Sequence, residues 1–248
     1  MPKIMIVTGG SRGIGRATAR LAAERGYHVA VNYMKDAAAA GEVVEYAKSR
    51  GVRAIAVAAD VSREADVVRL FQTVDRELGD VNVLVNNAGI IAAQSRLTEM
   101  NVERITRMFA INVIGSFLCA REAVKRMSER HGGKGGAIVN VSSAASRIGS
   151  PGLFVDYAAS KAAIDTFTLG LGREVAAEGV RVNAVRPGMI QTEIHANNND
   201  AGRPERLRPT IPMERVGTPE EVANAILWLA SDEASYLAGA VIDVSGGR

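Results

Sequence analysis

Tyr157 and Lys161 stand four positions apart in Tyr157-Ala158-Ala159-Ser160-Lys161, a spacing that puts both side chains on one face of a helix, one turn apart. A free tyrosine, with a pKa of about 10, is a poor base at neutral pH. A neighbouring ammonium stabilises the phenolate and brings that pKa toward the range where general acid–base catalysis is efficient. The pair follows an apolar run at 137–141 and a polar turn, Ser142-Ser143, so a strand end would deliver polar side chains to the same place.

The second group with chemical potential is Thr8-Gly9-Gly10-Ser11-Arg12-Gly13-Ile14-Gly15, which the apolar run Ile4–Val7 precedes and a helical pattern at 16–24 follows. A strand that turns through glycines into a helix N-terminus binds phosphate. The first-turn N–H groups are unpaired there, and the aligned peptide dipoles add partial positive charge. Gly9 and Gly13 allow a tight turn and a close approach to a pyrophosphate, and Gly15 allows the helix to pack on the strand. Ser11, Arg12 and Ile14 belong to the same cofactor-facing loop. The pattern, T-G-x-x-x-G-x-G, is not the common G-x-G-x-x-G, and the plain alternative is a glycine-rich turn between core elements. No Gly-Lys-Ser/Thr closes the loop, which disfavours mononucleotide hydrolysis.

The elements that must position these groups alternate along the chain. Strand-like runs fall at Ile4–Val7, 28–32, Ala54–Ala58, 83–86, 137–141, 180–185 and 240–244, with helical patterns at 16–24, Ala37–Ser49, 64–78, 102–130, 157–178 and Pro219–Ala230. Apolar runs separated by helices are those of parallel strands covered on both faces. Right-handed crossovers make this an α/β fold, a single-domain doubly wound parallel sheet of the Rossmann kind over residues 1–248. Its ligand lies at the strands' C-terminal ends. One segment breaks the alternation. Residues 193–215 contain Asn197-Asn198-Asn199-Asp200, Gly202, Pro204, Pro209 and Pro212, and a long loop after a strand end is expected to be a substrate lid. His195 and Met213 are its first candidates for substrate contact.

Composition excludes other classes. The chain has 248 residues, is 47% hydrophobic and 4% aromatic, and carries a net charge of +3, so small aliphatic side chains fill the core. That charge, without basic blocks or an aromatic-rich basic stripe, does not point to nucleic acid. Cys119 is the only cysteine and reads as a core thiol. His28, His131 and His195 have no metal-ligand spacing, so no metal is expected. No apolar run is long enough to span a membrane, and the chain enters a strand too soon for a signal peptide. A cytoplasmic protein is expected.

Across its whole length the sequence resembles the classical short-chain dehydrogenase/reductase family. Four motifs carry the likeness in order: the loop from Thr8 to Gly15, Asn86-Asn87-Ala88-Gly89, Ser143 with Tyr157 and Lys161, and Arg186-Pro187-Gly188. The resemblance implies that Tyr157 exchanges a proton with the substrate oxygen, and that Lys161 lowers the tyrosine pKa and holds the nicotinamide ribose hydroxyls. It further implies that Ser143 hydrogen-bonds the substrate oxygen and that Asn112 completes a proton relay through water. The alternative for Asn112 is a polar residue at a helix kink. Ser143 to Tyr157 is fourteen positions, one more than is usual, and Ser142 is the fallback. By the same resemblance Asp60 bonds the adenine amino group beside Val61, although Asp60 also suits a helix N-terminus. Asn86, Asn87, Ala88 and Gly89 line the adenosine ribose side, while Pro187, Gly188, Ile190 and Thr192 bracket the nicotinamide. Thr192 could instead serve as an N-cap.

The cofactor's phosphate can be read from the second strand. A cofactor without a 2′-phosphate usually meets an acid about 20 positions past the glycine loop, and here that place holds Asn32, followed by Tyr33 and Met34. With Arg12 able to pair with a phosphate, NADP(H) is favoured over NAD(H). The resulting expectation is an NADP-dependent oxidoreductase that moves hydride between nicotinamide and a carbonyl or secondary alcohol of a small molecule, such as a sugar or ketone. The segment from Leu153 to Lys161 is similar to that of bacterial glucose 1-dehydrogenases, and the glycine loop with 29–33 to that of β-ketoacyl-carrier-protein reductases. A carrier-protein reductase is therefore the alternative, with Arg121, Lys125, Arg126 and Arg130 as a docking face. The alternative from another class is a non-catalytic NADP-binding regulator. Surplus apolar residues on 102–130 and 157–178, including Ala162, Ala163, Phe167, Leu171 and Ala176, predict a homotetramer, or at least a dimer.

Overall fold

Seven β-branched runs flanked by helices can bury both of their faces only as one covered sheet. The computed structural model, which describes residues 2–192 and 202–248, has that sheet. Its strands are β1 (Ile4–Val7), β2 (His28–Tyr33), β3 (Ala54–Ala58), β4 (Val81–Asn86), β5 (Gly136–Val141), β6 (Val180–Pro187) and β7 (Val241–Val244). They are all parallel, in the order β3-β2-β1-β4-β5-β6-β7. The helices are α1 (Gly13–Glu24), α2 (Ala37–Ser49), α3 (Glu64–Glu77), α4 (Val102–Phe109), α5 (Gly115–Met127), α6 (Ala145–Ile148), α7 (Val155–Val175), α8 (Arg203–Leu207) and α9 (Pro219–Ala230).

Alternation along each strand divides the core. Met5 and Val7 pack with α1, α2 and α9 on one face, and Ile4 and Ile6 pack with α3, α5 and α7 on the other. The strand order reverses between β1 and β4, and a crevice must open above that point. Close approach is enforced on the second face at Gly172, where a Cβ would stand 2.6 Å from the Gly239 nitrogen and 3.0 Å from the Val182 oxygen.

Two expectations need correction. The helix expected at 102–130 is broken: α4 passes through a π turn, Ala110–Ile114, into α5, which ends at Met127. The wide turn carries Asn112, and just beyond it a Cβ at Gly115 would come 2.7 Å from Val61 Cγ2. The lid expected at 193–215 is also not irregular throughout. Residues 193–201, His195 among them, lie outside the described residues, while 203–207 form α8. Ile211 is buried, the Met213 N–H donates to the Gly246 carbonyl at 3.1 Å, and Arg215 pairs with Glu221. Residues 211–215 are therefore anchored to the body of the fold.

A Cβ on Gly15 would lie 2.3 Å from the Gly9 oxygen and 2.5 Å from Asn87 Nδ2, whereas one on Gly41, inside α2, meets nothing within 4 Å. Gly15→Ala should destabilise the fold by about 1–3 kcal/mol through overpacking. Gly41→Ala should stabilise it by about 0.5–1 kcal/mol. Urea denaturation of the two variants checks the contrast, and equal effects would show that the glycine loop yields freely.

Candidate active site

At the C-terminal edge of the sheet a cleft of about 370 Å³ runs from the glycine loop to Tyr157. It begins at α1. Arg12 occupies the N-cap position without a side-chain cap, and the first turn holds no acid, so its backbone donors are left for an anion. Gly9 (φ 61) and Gly13 (φ 52) are left-handed, a conformation that glycine alone adopts at no steric cost. Gly9, Ser11, Arg12, Gly13 and Ile14 line the cleft. Gly15 does not; it lies behind the loop against Gly9 and Asn87.

Three polar side chains hold this loop. The Gly9 N–H donates to Asn32 Oδ1 at 3.2 Å, and Asn87 Nδ2 donates to the carbonyls of Thr8 (2.8 Å) and Gly9 (3.0 Å). Thr8 Oγ1 accepts the N–H groups of Asn87 (2.9 Å) and Ala88 (3.0 Å) while donating to the Val85 carbonyl. Asn32 Nδ2 also reaches the carbonyls of Val57 and Ala59. Asn32 and Asn87 do line the cleft, but their amides are committed to the frame and brace the loop. Asn86, expected on the adenosine side, points away from it. Asn86 is buried and donates to Asn140 Oδ1 (2.9 Å) and the Ser116 carbonyl.

Tyr33, Asp60, Val61, Ala88 and Gly89 surround the next part of the cleft. Burial works against the charged form of Asp60. Hydrogen bonds from the Ser62 hydroxyl and N–H, with Arg107 at 3.2 Å, nevertheless hold its carboxyl below the usual range. Two lining residues that sequence reasoning passed over are Met34 and Lys35, directly after Tyr33. Their adjacency to the end of β2 was the available signal. Asp36, the nearest acid, caps α2 by accepting the Ala39 N–H at 2.9 Å.

At the far end lie Ser143, Tyr157 and Lys161. The first turn of α7 presents Tyr157 beside the Ser143 side chain, whose Oγ accepts the Ala145 N–H at 3.1 Å. Burial pushes the phenol above its ordinary pKa, against the Ser143 side chain and the positive charge of Arg203. Lys161 is buried, and its Nζ donates to the Val141 carbonyl at 2.8 Å and stands 5.7 Å from the Tyr157 ring centre. Burial lowers its pKa to about 8, opposed by the charge of Asp165. The two serines differ in employment. Ser142 Oγ is buried and donates to the Lys161 carbonyl at 3.1 Å, while Ser143 stands beside Tyr157. Asn112 lies behind the cleft wall. Its Oδ1 accepts the Ile90 N–H (2.8 Å) and its Nδ2 donates to the Ile90 carbonyl (2.9 Å) and Ser160 Oγ (3.1 Å). Gly89 separates its amide from Lys161, since a Cβ there would be 3.4 Å from Asn112 Oδ1 and 3.5 Å from Lys161 Nζ.

Pro187, Gly188, Ile190 and Thr192 follow β6 along the remaining wall. Gly188 is pressed against Ser245, which a Cβ would meet at 2.7 Å. The substrate end was the least expected from sequence. Phe154 and Arg203 line it, with the guanidinium 4.4 Å over the ring. Met213 is 64% exposed and is not part of the lining. The two nearby wall segments are joined by the Ser95 N–H to the Leu153 carbonyl at 3.1 Å. Arg104 ties the Ala93 segment to α7, with Nε and Nη2 on the Asp156 carboxylate at 2.8 and 3.2 Å and Nη1 on the Ala93 carbonyl at 2.7 Å.

The surface proposed for carrier-protein docking is largely neutralised. Arg121 pairs with Glu64, Lys125 with Glu122, Arg126 with both Asp75 and Glu122, and Arg130 lies 3.8 Å from Glu178. Among the described residues no group of His, Cys, Asp and Glu could hold a metal ion, and no helix is long and apolar enough to cross a membrane.

This arrangement has known counterparts. Residues 9–248 match a family model described as enoyl-(acyl carrier protein) reductase. The chain is 56% identical over 245 residues to the uncharacterized oxidoreductase YgfF of Escherichia coli K12, covering 99% of both. It is 38% identical to glucose 1-dehydrogenase 2 of Bacillus subtilis, covering 99% of this chain and 94% of that one. It is also 38% identical to the 3-oxoacyl-[acyl-carrier-protein] reductase FabG of Staphylococcus aureus, covering 100% and 98%. A crystal structure of a short-chain dehydrogenase/reductase from Mycobacterium marinum superposes with a TM-score of 0.92 at 34% identity, covering 99% of this chain and 94% of that one. The chain belongs to the classical short-chain dehydrogenase/reductase family and is an oxidoreductase, which sets aside the non-catalytic regulator.

The Arg104–Asp156 pair is nearly closed to solvent, with side chains 16% and 2% exposed. Arg104→Leu should cost about 3–5 kcal/mol because it strands a buried carboxylate. Adding Asp156→Leu should recover much of that loss. Urea denaturation of both single variants and the double variant measures the coupling, and additive losses would show that the two side chains act independently.

Proposed function

We propose that this chain is an NADP(H)-dependent oxidoreductase for the carbonyl or secondary alcohol of a small molecule. The observation that carries the reading is that Ser143, Tyr157 and Lys161 line one end of a cleft whose other end is the uncapped N-terminus of α1. A bound nicotinamide supplies the hydride that leaves or enters the substrate carbon. The residues do the rest. With its pKa raised, Tyr157 is a phenol at neutral pH and stands ready to donate its proton to a carbonyl oxygen. Ser143, beside that phenol, offers a second contact to the same oxygen. Lys161 brings a positive charge to the tyrosine side of the cleft, and Asn112, locked to Ile90, keeps the intervening wall at Gly89 in place. In the reverse direction Tyr157 takes the proton back.

The choice of NADP(H) is supported by Arg12 and Lys35, two cations on the cleft, although Asp36, which caps α2, also lines it. A small-molecule substrate is favoured over a carrier protein because the basic face of α5 already pairs with Glu64, Asp75, Glu122 and Glu178. A homotetramer is supported by the apolar stripe between α5 and α7, where Phe117 stacks on Phe167 at 3.8 Å and Phe117 and Leu169 remain exposed. The segment at about 193–215, anchored to the body of the fold over 211–215, is read as the substrate lid of a single cytoplasmic domain.

Tyr157→Phe keeps the ring and loses the proton donor, so NADPH oxidation with a panel of aldehydes, ketones and oxidised sugars should fall by roughly 10²–10⁴-fold while NADPH affinity is retained. Near-normal turnover would remove Tyr157 from the mechanism. Arg12→Ala should weaken NADPH binding by about 1.5–3 kcal/mol, the range of a charged hydrogen bond, and leave NADH binding little changed. Equal losses would withdraw the assignment of NADP(H). Acetoacetyl thioesters turned over in preference to every free carbonyl would favour the carrier-protein reading.

A further inference from the structure

Asp165 stands one turn beyond Lys161 on the same face of α7, and neither the proton transfer nor the cofactor contacts use it. Its carboxylate is held on one side only. Oδ2 accepts Arg186 Nε from β6 at 2.9 Å, while Oδ1 is buried and has no hydrogen-bond partner among the described residues. A buried acceptor left unpaired is costly, so a carboxylate kept in this state points to a role for its charge.

The charges around it alternate in sign. Arg186 also faces Asp243 of β7 at 3.8 Å, and Asp243 pairs with Arg147 of α6 at 3.1 Å. The row therefore runs Lys161, Asp165, Arg186, Asp243, Arg147, with Asp165 one helical turn from the lysine. The other groups that face Lys161 contribute no opposing anion. From β5 comes the Val141 carbonyl, from the π turn the neutral Asn112, from α7 the protonated Tyr157, and from α8 the cation Arg203 beside that tyrosine; the Ser142 hydroxyl, just past β5, bonds the Lys161 main-chain carbonyl.

We propose that Asp165, anchored by Arg186, is a positioning residue whose negative charge keeps the buried Lys161 an ammonium at neutral pH. The proposal rests on the reading of Lys161 as part of the active site, but its own content is the charge of one side chain. Burial alone drives Lys161 toward the neutral amine, and the charge of Asp165 is the interaction that opposes this. A neutral Lys161 would no longer supply positive charge beside Tyr157, so the device sets the upper pH at which the site can work. As pH rises through the Lys161 pKa of about 8, the ammonium, and with it activity, is lost.

The test is a titration of lysine Cε signals by NMR in ¹³C-lysine-labelled protein, without cofactor or substrate, with Lys161 identified by its absence from Lys161→Met. The wild-type signal should titrate near 8, apart from solvent lysines near about 10.4. Asp165→Asn should move the midpoint down by about one unit, and Asp165→Glu should restore it. A loosening of the site that merely admitted water would raise the midpoint in Asp165→Asn, so the direction separates charge from structure. An unchanged or raised midpoint in Asp165→Asn would overturn the proposal. Should Asp165→Asn fail to melt like the wild type, Asp165→Ser is titrated in its place, with the same lowered midpoint expected and an unchanged or raised one overturning the proposal. Loss of turnover on Tyr157→Phe bears on the proposed reaction, whereas this titration bears only on Asp165.

Discussion

A loop that binds phosphate through its own backbone cannot position itself, because it has given up the side chains that would anchor it. That constraint organises the sheet edge. Thr8, Asn32 and Asn87 sit at the ends of β1, β2 and β4 and use their side chains to fix the backbone of Thr8, Gly9, Asn87 and Ala88. Each buried amide exchanges hydrogen bonds with main-chain groups of a neighbouring strand. The reversal of strand order between β1 and β4 opens the crevice, and these three residues keep it from collapsing. The helix that follows can then leave its first turn uncapped.

The parts of this design that rest on local requirements were legible in the sequence. Gly9 and Gly13 need left-handed backbone, and the helical spacing of Tyr157 and Lys161 places both on one face wherever α7 goes. What depended on distant partners was not. Asn32 was read through the carboxylate it lacks, while its actual work is done on Gly9, Val57 and Ala59, which local pattern cannot supply. The π turn was open only through the alternative reading of Asn112 as a polar residue at a helix kink, because Met108, Ile111, Gly115 and Cys119 are all buried and keep helical spacing through the break, so periodicity reports an unbroken helix. The fourteen positions from Ser143 to Tyr157 are taken up by α6 and a turn in which Gly149, Ser150 and Gly152 are left-handed. Counting alone left two serines open; in the structure Ser142 Oγ donates to the Lys161 carbonyl and Ser143 Oγ accepts the Ala145 N–H.

The electrostatics at the two ends of the cleft follow opposite rules. At the phosphate end the attraction comes from peptide dipoles and surface cations and is exposed to screening by salt. At the tyrosine end the charges are buried and each has a specific neighbour, so small changes of position translate into changes of proton affinity. A cofactor spans both regimes. Its recognition and its reaction can therefore respond differently to the same change of solution conditions.

The segments flanking the cleft, 92–95 and 150–154, are held through main-chain carbonyls, Ala93 to Arg104 of α4 and Leu153 to the Ser95 N–H. The framing thus makes no demand on the side chains of Ala92, Ala93 or Leu153. In a lineage, residues at those places can be exchanged by single substitutions without disturbing the spacing of Ser143, Tyr157 and Lys161. Substrate preference can drift while the reaction is inherited intact, and descendants of one gene can come to serve unrelated metabolites.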